Sequence, residues 1–356
     1  MRRLFFVIFG ISAFAFFFGS CAPPANNNSR PVVYTYSSGP TSYTFPVSIT
    51  APDGIAIDAS GNVWVLGQAG DLAEINPQNG SIITSTPLPG CSAGPNYYAG
   101  IAIGISGNIW TVNNTCDFVV EADPSTGTIY TPYSTGTAPY GIAIDMYDNV
   151  WVGDNGNYSS PPFSSSVTEI PVSGPSQSFS QGNTLNSNCM EAVAIDSAGY
   201  VWLSGCGYVH TFDPSGAPAG SYKFPSGNPG SIAIGSGDNA WVTDYDTVYE
   251  LSPAGTFTSS YQVGLSNSIL QGIAIDQAGH VWVTDAANAA LLEISPSRGL
   301  LAVFAVGNNP GGIAIDAYGD VWVANTNDNT VTEWMGIAAG PQYFPYTGPQ
   351  FPDGQP

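Results

Sequence analysis

Charged side chains are scarce in this sequence, and basic ones are the scarcest. Asp, Glu, Lys and Arg make up 9% of the 356 residues, and 26 acidic residues outnumber 5 basic ones, which gives a formal net charge of −21. An acidic surface repels phosphate backbones and anionic lipid headgroups, so this balance argues against nucleic acid and bare membrane surfaces as partners. The 43% of apolar residues still allows a sizeable core.

The side chains that enzymes commonly use for catalysis are also few. The sequence has two histidines, no glycine-rich phosphate loop and no Cys-x-x-Cys zinc spacing. His210 lies inside the strand-like run "YVHTF", which favours a core position, and His280 lies in a turn, which favours a solvated one. We therefore expect no catalytic residues and no cofactor.

The long uncharged apolar run of the chain is N-terminal. Two arginines precede an uncharged stretch over residues 4–18, and Gly-Ser-Cys21 follows. A basic start, a short apolar run and small residues are typical of a secretory signal, and the run is shorter than a membrane span. Cys21 after Gly-Ser resembles the lipobox of bacterial lipoproteins, which implies cleavage before Cys21, lipidation of its thiol and anchoring in the cell envelope, at the outer membrane or cell surface. A plain signal peptide is the alternative.

Composition divides the chain into four segments. Residues 1–20 are the predicted lipoprotein signal peptide, and residues 21–41, rich in Pro, Asn and Ser, are predicted to be a flexible tether. Residues 42–336 carry the predicted folded domain. Residues 337–356, rich in Pro and Gly, are predicted to be a tail.

One pattern recurs seven times along residues 42–336. It consists of a small residue, Ile or Val, Ala-Ile, five variable residues, an aliphatic residue and Trp. The copies begin at residues 54, 100, 141, 192, 231, 272 and 312, at spacings of 39 to 51 residues. Seven of the eight tryptophans occupy one position of this repeat: Trp64, Trp110, Trp151, Trp202, Trp241, Trp282 and Trp322.

Each repeat predicts four short strands separated by Asn-Pro, Asp-Pro, Ser-Pro or Gly turns. Four strands in about 40 residues, repeated along a chain, are typical of β-propeller blades. We therefore predict an all-β, seven-bladed β-propeller with four-stranded antiparallel blades, in which each Trp fills the wedge between two blades.

Two further features fit this ring. The last repeat lacks a clear fourth strand after "VTEWMG", and residues 42–47, "SYTFPV", resemble a fourth strand, so we expect the N-terminal strand to close the ring. An Asp follows the Ala-Ile step in five repeats, at Asp58, Asp145, Asp196, Asp276 and Asp316. Because each precedes a tight turn, we interpret these carboxylates as Asx-turn acceptors and not as a calcium-binding ring.

The cysteines other than Cys21 follow the blade pattern. Cys91 and Cys189 precede strand one of blades two and four, and Cys116 and Cys206 follow strand two of the same blades. Both positions lie on one face of a propeller, which we call the top face. Of the three pairings open to four cysteines, the fold predicts Cys91–Cys116 and Cys189–Cys206, as expected for an exported protein.

The top-face loops carry aromatic and acidic residues that we predict to bind a ligand. Exposed aromatics among Asp and Asn suit a sugar, a peptide or a cation, whereas ordinary polar loop composition is the alternative interpretation. Ca²⁺ or Mg²⁺ on this face is a further alternative. The predicted ligand-binding residues are Tyr97, Tyr98, Tyr140, Asp154, Tyr158, Glu191, Asp244, Tyr245, Asp285 and Asn325.

The repeat resembles NHL-type propeller repeats over residues 42–335, through sequences such as "GIAIDASGNVWV" and "GIAIDQAGHVWVTD". The chain also resembles the seven-bladed streptogramin (virginiamycin B) lyases and surface-protein propellers with a "VWVAN…NTV" pattern, seen here at 321–331. The lyase resemblance implies histidine and glutamate near a magnesium ion at the channel mouth. Neither His210 nor His280 stands at such a position, so we do not carry this activity over.

These observations predict a lipid-anchored envelope protein whose propeller binds a small molecule, a glycan or an envelope protein on its top face. We expect a monomer without catalytic activity that contacts the membrane through its lipid alone. The alternative is a divalent-metal-assisted lyase or lactone hydrolase of the streptogramin-lyase type.

Overall fold

The repeats fold into seven antiparallel sheets. The structure is a computed structural model that describes residues 41–91, 96–156, 166–180, 192–205, 207–225, 229–263 and 265–338. Within these ranges the secondary structure is β throughout, apart from one 3-10 turn at Ser236–Asp238. No helix within these ranges is long and apolar enough to cross a membrane.

The described strands, in chain order, are β1 (Ser42–Pro46), β2 (Pro52–Ile57), β3 (Val63–Gly67), β4 (Asp71–Ile75), β5 (Ile82–Pro87), β6 (Tyr98–Ile103), β7 (Ile109–Asn113), β8 (Phe118–Asp123), β9 (Thr128–Ile129), β10 (Tyr133–Ser134), β11 (Pro139–Ile144), β12 (Val150–Asp154), β13 (Ser166–Ile170), β14 (Gln177–Phe179), β15 (Ala192–Ile195), β16 (Val201–Gly205), β17 (Tyr208–Phe212), β18 (Pro218–Lys223), β19 (Ile232–Ile234), β20 (Ala240–Asp244), β21 (Thr247–Leu251), β22 (Phe257–Gln262), β23 (Leu270–Ile275), β24 (Val281–Asp285), β25 (Ala290–Ser295), β26 (Gly299–Ala305), β27 (Pro310–Ile315), β28 (Val321–Asn325) and β29 (Thr330–Trp334).

Each sheet is one blade of a propeller. Strand one of every blade contacts strand one of the next, and β27 of blade seven contacts β2 of blade one, so the inner strands form a closed circle. Six blades have the predicted four strands, and blade two has five, because its outer strand is split into β9 and β10. Pro132 lies between these two pieces, and proline cannot donate the N–H that a continuous strand would need. The predicted seven-bladed propeller is confirmed.

An N-terminal strand closes the ring, as predicted. β1 pairs antiparallel with β29, with Ser42 opposite Trp334 and Pro46 opposite Thr330. The Val47 N–H continues the ladder by donating to the Asn329 carbonyl at 2.9 Å. Blade seven is therefore built from both ends of the described chain.

The repeated tryptophans fill the seams between blades, again as predicted. Trp282 of blade six is fully buried with Ile313, Val321 and Val323 of blade seven. Each of the other six packs in the same way against the blade that follows it, with Trp322 of blade seven packing against blade one. Each seam is thus one hydrophobic cluster shared by two blades.

The Asp of the repeat is a turn acceptor that also binds the Trp. In blade six, Asp276 Oδ1 accepts hydrogen bonds from the Ala278 and His280 N–H groups, both at 2.9 Å. Asp276 Oδ2 accepts the Trp282 indole N–H at 3.0 Å. The same indole bond forms at Asp58, Asp145, Asp196 and Asp316. The sequence predicted the turn but not the bond to Trp.

One of the two predicted disulfides lies within the described residues. Cys91 and Cys116 are bonded, with their Cα atoms 5.6 Å apart, and the bridge joins the two top-face loops of blade two. Cys189 and Cys206 lie outside the described residues, as do Cys21, the predicted signal peptide and nearly all of the predicted tether and tail.

Candidate functional site

The top face opens into a channel along the ring axis. A cavity of about 180 Å³ is lined by strand one of all seven blades, including Asp53, Tyr140, Ile142, Ile232 and Ile313. Strand one is the end strand of each sheet, so its free edge faces the channel with backbone N–H and C=O groups. The cavity therefore combines apolar side chains with backbone polar groups.

Four predicted ligand-binding residues are buried at strand ends. Asp154, Asp244, Asp285 and Asn325 are the last residues of β12, β20, β24 and β28, and all four are buried. Asp285 Oδ1 accepts the Ile269 N–H at 3.1 Å, and Asn325 donates to two threonine hydroxyls. These contacts tie the end of strand two to neighbouring loops and strands, so the two side chains hold the scaffold together.

Asp154 is buried beside two hydroxyl groups and has a raised pKa. Its Oδ2 accepts hydrogen bonds from the Ser166 hydroxyl at 2.9 Å and the Thr168 hydroxyl at 2.7 Å. Burial raises the pKa of Asp154 to about 7, against the lowering effect of these hydrogen bonds. The folded protein therefore holds a proton on Asp154 under mildly acidic conditions, where an unfolded chain would not.

This perturbation predicts a pH-dependent stability. Between the unfolded pKa and about 7 the folded state binds the extra proton, so stability falls as pH rises through this window. Replacing Asp154 with Asn should remove on the order of 2 kcal/mol of the stability change between pH 5 and pH 8. Urea unfolding of both proteins at the two pH values measures it.

Asp123→Asn is the matched control for this prediction. Asp123 is exposed, and hydrogen bonds from Ser125 and Thr126 lower its pKa, so its linkage has the opposite sign. An Asp154→Asn protein that keeps the full pH dependence of the wild type would contradict the assignment of the raised pKa.

The predicted tyrosines lie in different places. Tyr98 is fully buried, its hydroxyl donates to the Pro89 carbonyl at 2.6 Å, and burial raises its pKa to about 12, so it is a core residue. Tyr245 is 59% exposed in a top-face turn with a φ of 46°. Tyr97 and Tyr140 are half-buried; Tyr140 lines the channel, and Tyr97 lies next to it through a hydrogen bond. Tyr158 and Glu191 lie outside the described residues.

Five polar side chains form a connected group at the channel mouth, which we call the mouth arc: Thr326, Asp53, Gln68, Tyr97 and Tyr140. Gln68 Nε2 lies 3.3 Å from Asp53 Oδ2 and 3.4 Å from the Tyr97 hydroxyl, so it bridges the two. Thr326 lies beside Asp53 on the other side and lowers the pKa of its carboxyl group, and Tyr97 hydrogen-bonds Tyr140. The arc thus crosses from blade seven over blades one and two to blade three.

Two residues of the mouth arc, Asp53 and Tyr140, lie at irregularities in the strand ladders. The ladder between β2 and β3 shifts register between Pro52 and Gly54, at Asp53, and the ladder between β11 and β12 shifts between Pro139 and Ile142, at Tyr140. A bulge of this kind turns a side chain away from the regular alternation of a strand. Asp53 and Tyr140 consequently line the channel and not a seam.

Electrostatics single out Asp53. Burial raises its pKa, and the hydrogen bonds from Gln68 and Thr326 offset this only in part. Burial also raises the pKa of Tyr97, and the nearby Asp53 carboxylate raises it further, so the phenol stays neutral. Among the described residues that line the cavity, Asp53 is the one carboxylate, and there is no Lys, Arg or His.

The sequence did not predict three side chains of the mouth arc: Asp53, Gln68 and Thr326. Asp53 stands in "PDG", which resembles an ordinary turn, although the structure places it in strand β2. The sequence feature that could have identified Asp53 as a channel residue is its position within the repeat. Asp53 directly precedes the small residue that opens strand one, as do Tyr140 in blade three and Glu191 in blade four.

Neither histidine lies at the cavity. His210 is fully buried in β17, and burial lowers its pKa to about 4. His280 lies in the hairpin between β23 and β24 on the opposite face, where its Nδ1 is 2.7 Å from Glu293 Oε1, so it is paired and not simply solvated as expected. Within the described ranges, no three His, Cys, Asp or Glu side chains come together to hold a metal ion.

Solved structures with the same fold include two lyases and a hydrazine synthase chain. A streptogramin B lyase is 17% identical, with a TM-score of 0.72, and the match covers 83% of this chain and 97% of the lyase. The virginiamycin B lyase of Staphylococcus aureus is 19% identical, with a TM-score of 0.72 and coverage of 83% and 99%. A hydrazine synthase chain of Kuenenia stuttgartiensis is 13% identical, with a TM-score of 0.69 and coverage of 86% and 100%.

No family model and no curated protein matches the sequence. Identities below 20% establish a shared fold and leave the chemistry of the site to its own residues. The chain is therefore a seven-bladed β-propeller similar in fold to streptogramin B lyase.

Proposed function

We propose that this chain is an exported, lipid-anchored protein of the bacterial envelope whose propeller recognises a ligand at the channel mouth without catalysing a reaction. The observation that carries the proposal is the mouth arc. It assembles polar side chains from four blades beside a cavity, and two of them, Asp53 and Tyr140, lie on strand one of a rigid ring. Convergent polar groups at a concave site on a rigid scaffold are typical of ligand binding.

Several features support recognition over catalysis. The arc has one carboxylate and two phenols, and neither described histidine is near it, so it lacks an evident nucleophile with an adjacent base. The side chains of Asp53, Gln68 and Tyr97 are held by mutual hydrogen bonds. Such preorganised groups suit a small molecule, the end of a glycan or a segment of an envelope protein.

The cellular part of the proposal rests on the N-terminus. The apolar run and Cys21 support export and lipidation, with Cys21 as the acylated residue. Residues 21–41 would tether a monomeric ring away from the membrane, which it touches through the lipid alone. The acidic composition of the chain agrees with a surface that does not adhere to anionic lipid.

A paired tyrosine replacement tests the binding site. The double variant Tyr97→Ala/Tyr140→Ala should bind fragments at least ten-fold more weakly than the wild type in a ligand-observed NMR screen with neutral, cationic and anionic fragments. Removing the phenols deletes both ring area and hydrogen-bonding groups at the mouth.

Tyr147→Ala is the matched control, since Tyr147 is 69% exposed in the hairpin turn of blade three on the opposite face. This variant should bind fragments as the wild type does. Fragment binding that the double variant retains in full would place recognition elsewhere on the molecule.

A lyase or lactone hydrolase is the second candidate, because the fold is similar to streptogramin B lyases with a TM-score of 0.72. It would need a catalytic set that the described top-face residues do not supply. Incubating the protein with a streptogramin B antibiotic and simple lactones, with and without Mg²⁺, tests it. Our proposal expects no turnover above buffer, and turnover abolished by a top-face substitution would favour the enzyme.

A further inference from the structure

Among the residues that the structure describes, no basic side chain balances the negative charge of the mouth arc. The described bases lie elsewhere: Lys223 is in the outer strand β18, Arg298 is in the turn before β26, His210 is inside β17, and His280 is on the opposite face. Gln68 and Thr326 orient the Asp53 carboxylate, but they carry no charge. Neutral hydrogen-bond partners offset only part of the free-energy cost of burying an ionised carboxylate. A bound cation would offset more of this cost.

Neutral acceptors surround this carboxylate. The phenol oxygens of Tyr97 and Tyr140 lie in the same hydrogen-bonded group, and the free edge of strand one adds backbone carbonyls around the channel. Aromatic rings beside a carboxylate also attract organic cations through their π-electrons. Every acceptor at the mouth is therefore compatible with a positively charged N–H or N-methyl group.

The size of the cavity limits what can enter. Its volume of about 180 Å³ is well below the 300–1,000 Å³ that is typical of pockets for drug-sized ligands. One functional group of a ligand would fill it, while the rest of the ligand remains outside at the top face.

From this charge, these acceptors and this volume we infer that the mouth arc recognises an organic ammonium group, with Asp53 as its counter-ion and Tyr97 and Tyr140 beside it. The inference rests on the proposed function and names the class of ligand. An alkylammonium is favoured over a divalent metal ion, because Asp53 is the one carboxylate among the described residues that line the cavity, and the aromatic rings beside it suit an organic cation.

The inference implies a pH dependence. The ionised form of Asp53 is the one that pairs with a cation, so affinity for an ammonium should fall as pH drops through the raised pKa of Asp53. The groups that face Asp53 are Gln68, Thr326 and Tyr97, and of these Tyr97 alone titrates, far above neutral pH. A neutral ligand would show no such dependence.

A pair of isosteric probes tests the inference by isothermal titration calorimetry on the mature chain. Choline and 3,3-dimethylbutan-1-ol have the same shape and differ by one positive charge. We expect choline to bind at least ten-fold more tightly than the alcohol at pH 7.5. We expect Asp53→Asn to remove that preference and Asp123→Asn, at an exposed acid, to retain it.

Equal affinity for the two probes, or a charge preference that Asp53→Asn leaves intact, would overturn the inference. If the Asp53→Asn protein does not fold, the wild type decides the matter, because its choline affinity must fall between pH 7.5 and pH 4.5 while that of the alcohol stays constant. The proposed function fails separately, when no fragment of any charge shows binding that depends on Tyr97 and Tyr140.

Discussion

A chain that begins at Ser48, and so lacks β1, should unfold at a temperature roughly 10 °C below that of a chain that begins at Thr41. The deletion removes the buried side chains of Phe45 and Val47 from the seam cluster of blades seven and one and exposes the edge of β29. Burial of two such side chains contributes on the order of 4 kcal/mol, and each kcal/mol shifts the melting temperature of a large domain by about 2–4 °C. Differential scanning calorimetry of both chains measures the shift.

The same truncation offers a second readout. A synthetic peptide of residues 41–50 carries the complete strand and should restore much of the lost stability by pairing with β29. A scrambled peptide of the same composition is the control. Equal melting temperatures for the two chains would show that β1 does not close the ring.

Trp282→Ala should destabilise the fold by about 3–5 kcal/mol, the usual cost of removing a large buried aromatic side chain. Trp282 is 0% exposed in the seam between blades six and seven, and its ring lies 5.8 Å from that of Phe304. The substitution also takes the indole donor from Asp276, which is buried. Urea denaturation should show a lower midpoint with an unchanged slope.

Tryptophan-to-phenylalanine variants separate the contribution of ring packing from that of the Asp–indole hydrogen bond, because blade two lacks the repeat Asp. Gly104 stands at that position, so Trp110 has no counterpart of the Asp276–indole bond. Trp282→Phe should therefore cost about 1–2 kcal/mol more than Trp110→Phe, the cost of leaving a buried acceptor without its donor. Equal costs at the two sites would show that the Asp–indole bond adds nothing to stability.

Local patterns determine most of this fold, which is why the sequence predicted it well. Seven copies of one repeat fix the blade number, and the missing fourth strand of the last blade, together with "SYTFPV", predicts the closure that β1 and β29 make. The split outer strand of blade two was missed because it depends on a single proline, Pro132, within an otherwise regular pattern.

The candidate site was harder to predict, since burial at the top face depends on contacts between segments that are distant in sequence. Asp154, Asp285 and Asn325 stand beside polar loop segments and resemble exposed residues in sequence, yet they end strand two of their blades and are enclosed by hydrogen bonds with Thr168, Ile269 and Thr332 of the same blades. Asp53 differs from these residues, because its carboxylate lines the channel although the sequence did not predict a site there. Its "PDG" context predicts a turn, but a bulge in strand β2 directs its carboxylate to the channel.

The most direct test of a recognition site at the channel mouth is ¹⁹F NMR of protein labelled with 3-fluorotyrosine, with the signals of Tyr97, Tyr140, Tyr147 and Tyr245 assigned by single Tyr→Phe variants. We expect added choline to shift the Tyr97 and Tyr140 signals in a saturable manner and to leave Tyr147, on the opposite face, unchanged. Shifts confined to Tyr245 or Tyr147, or no shift at any of the four, would contradict an ammonium-recognition site at the mouth arc.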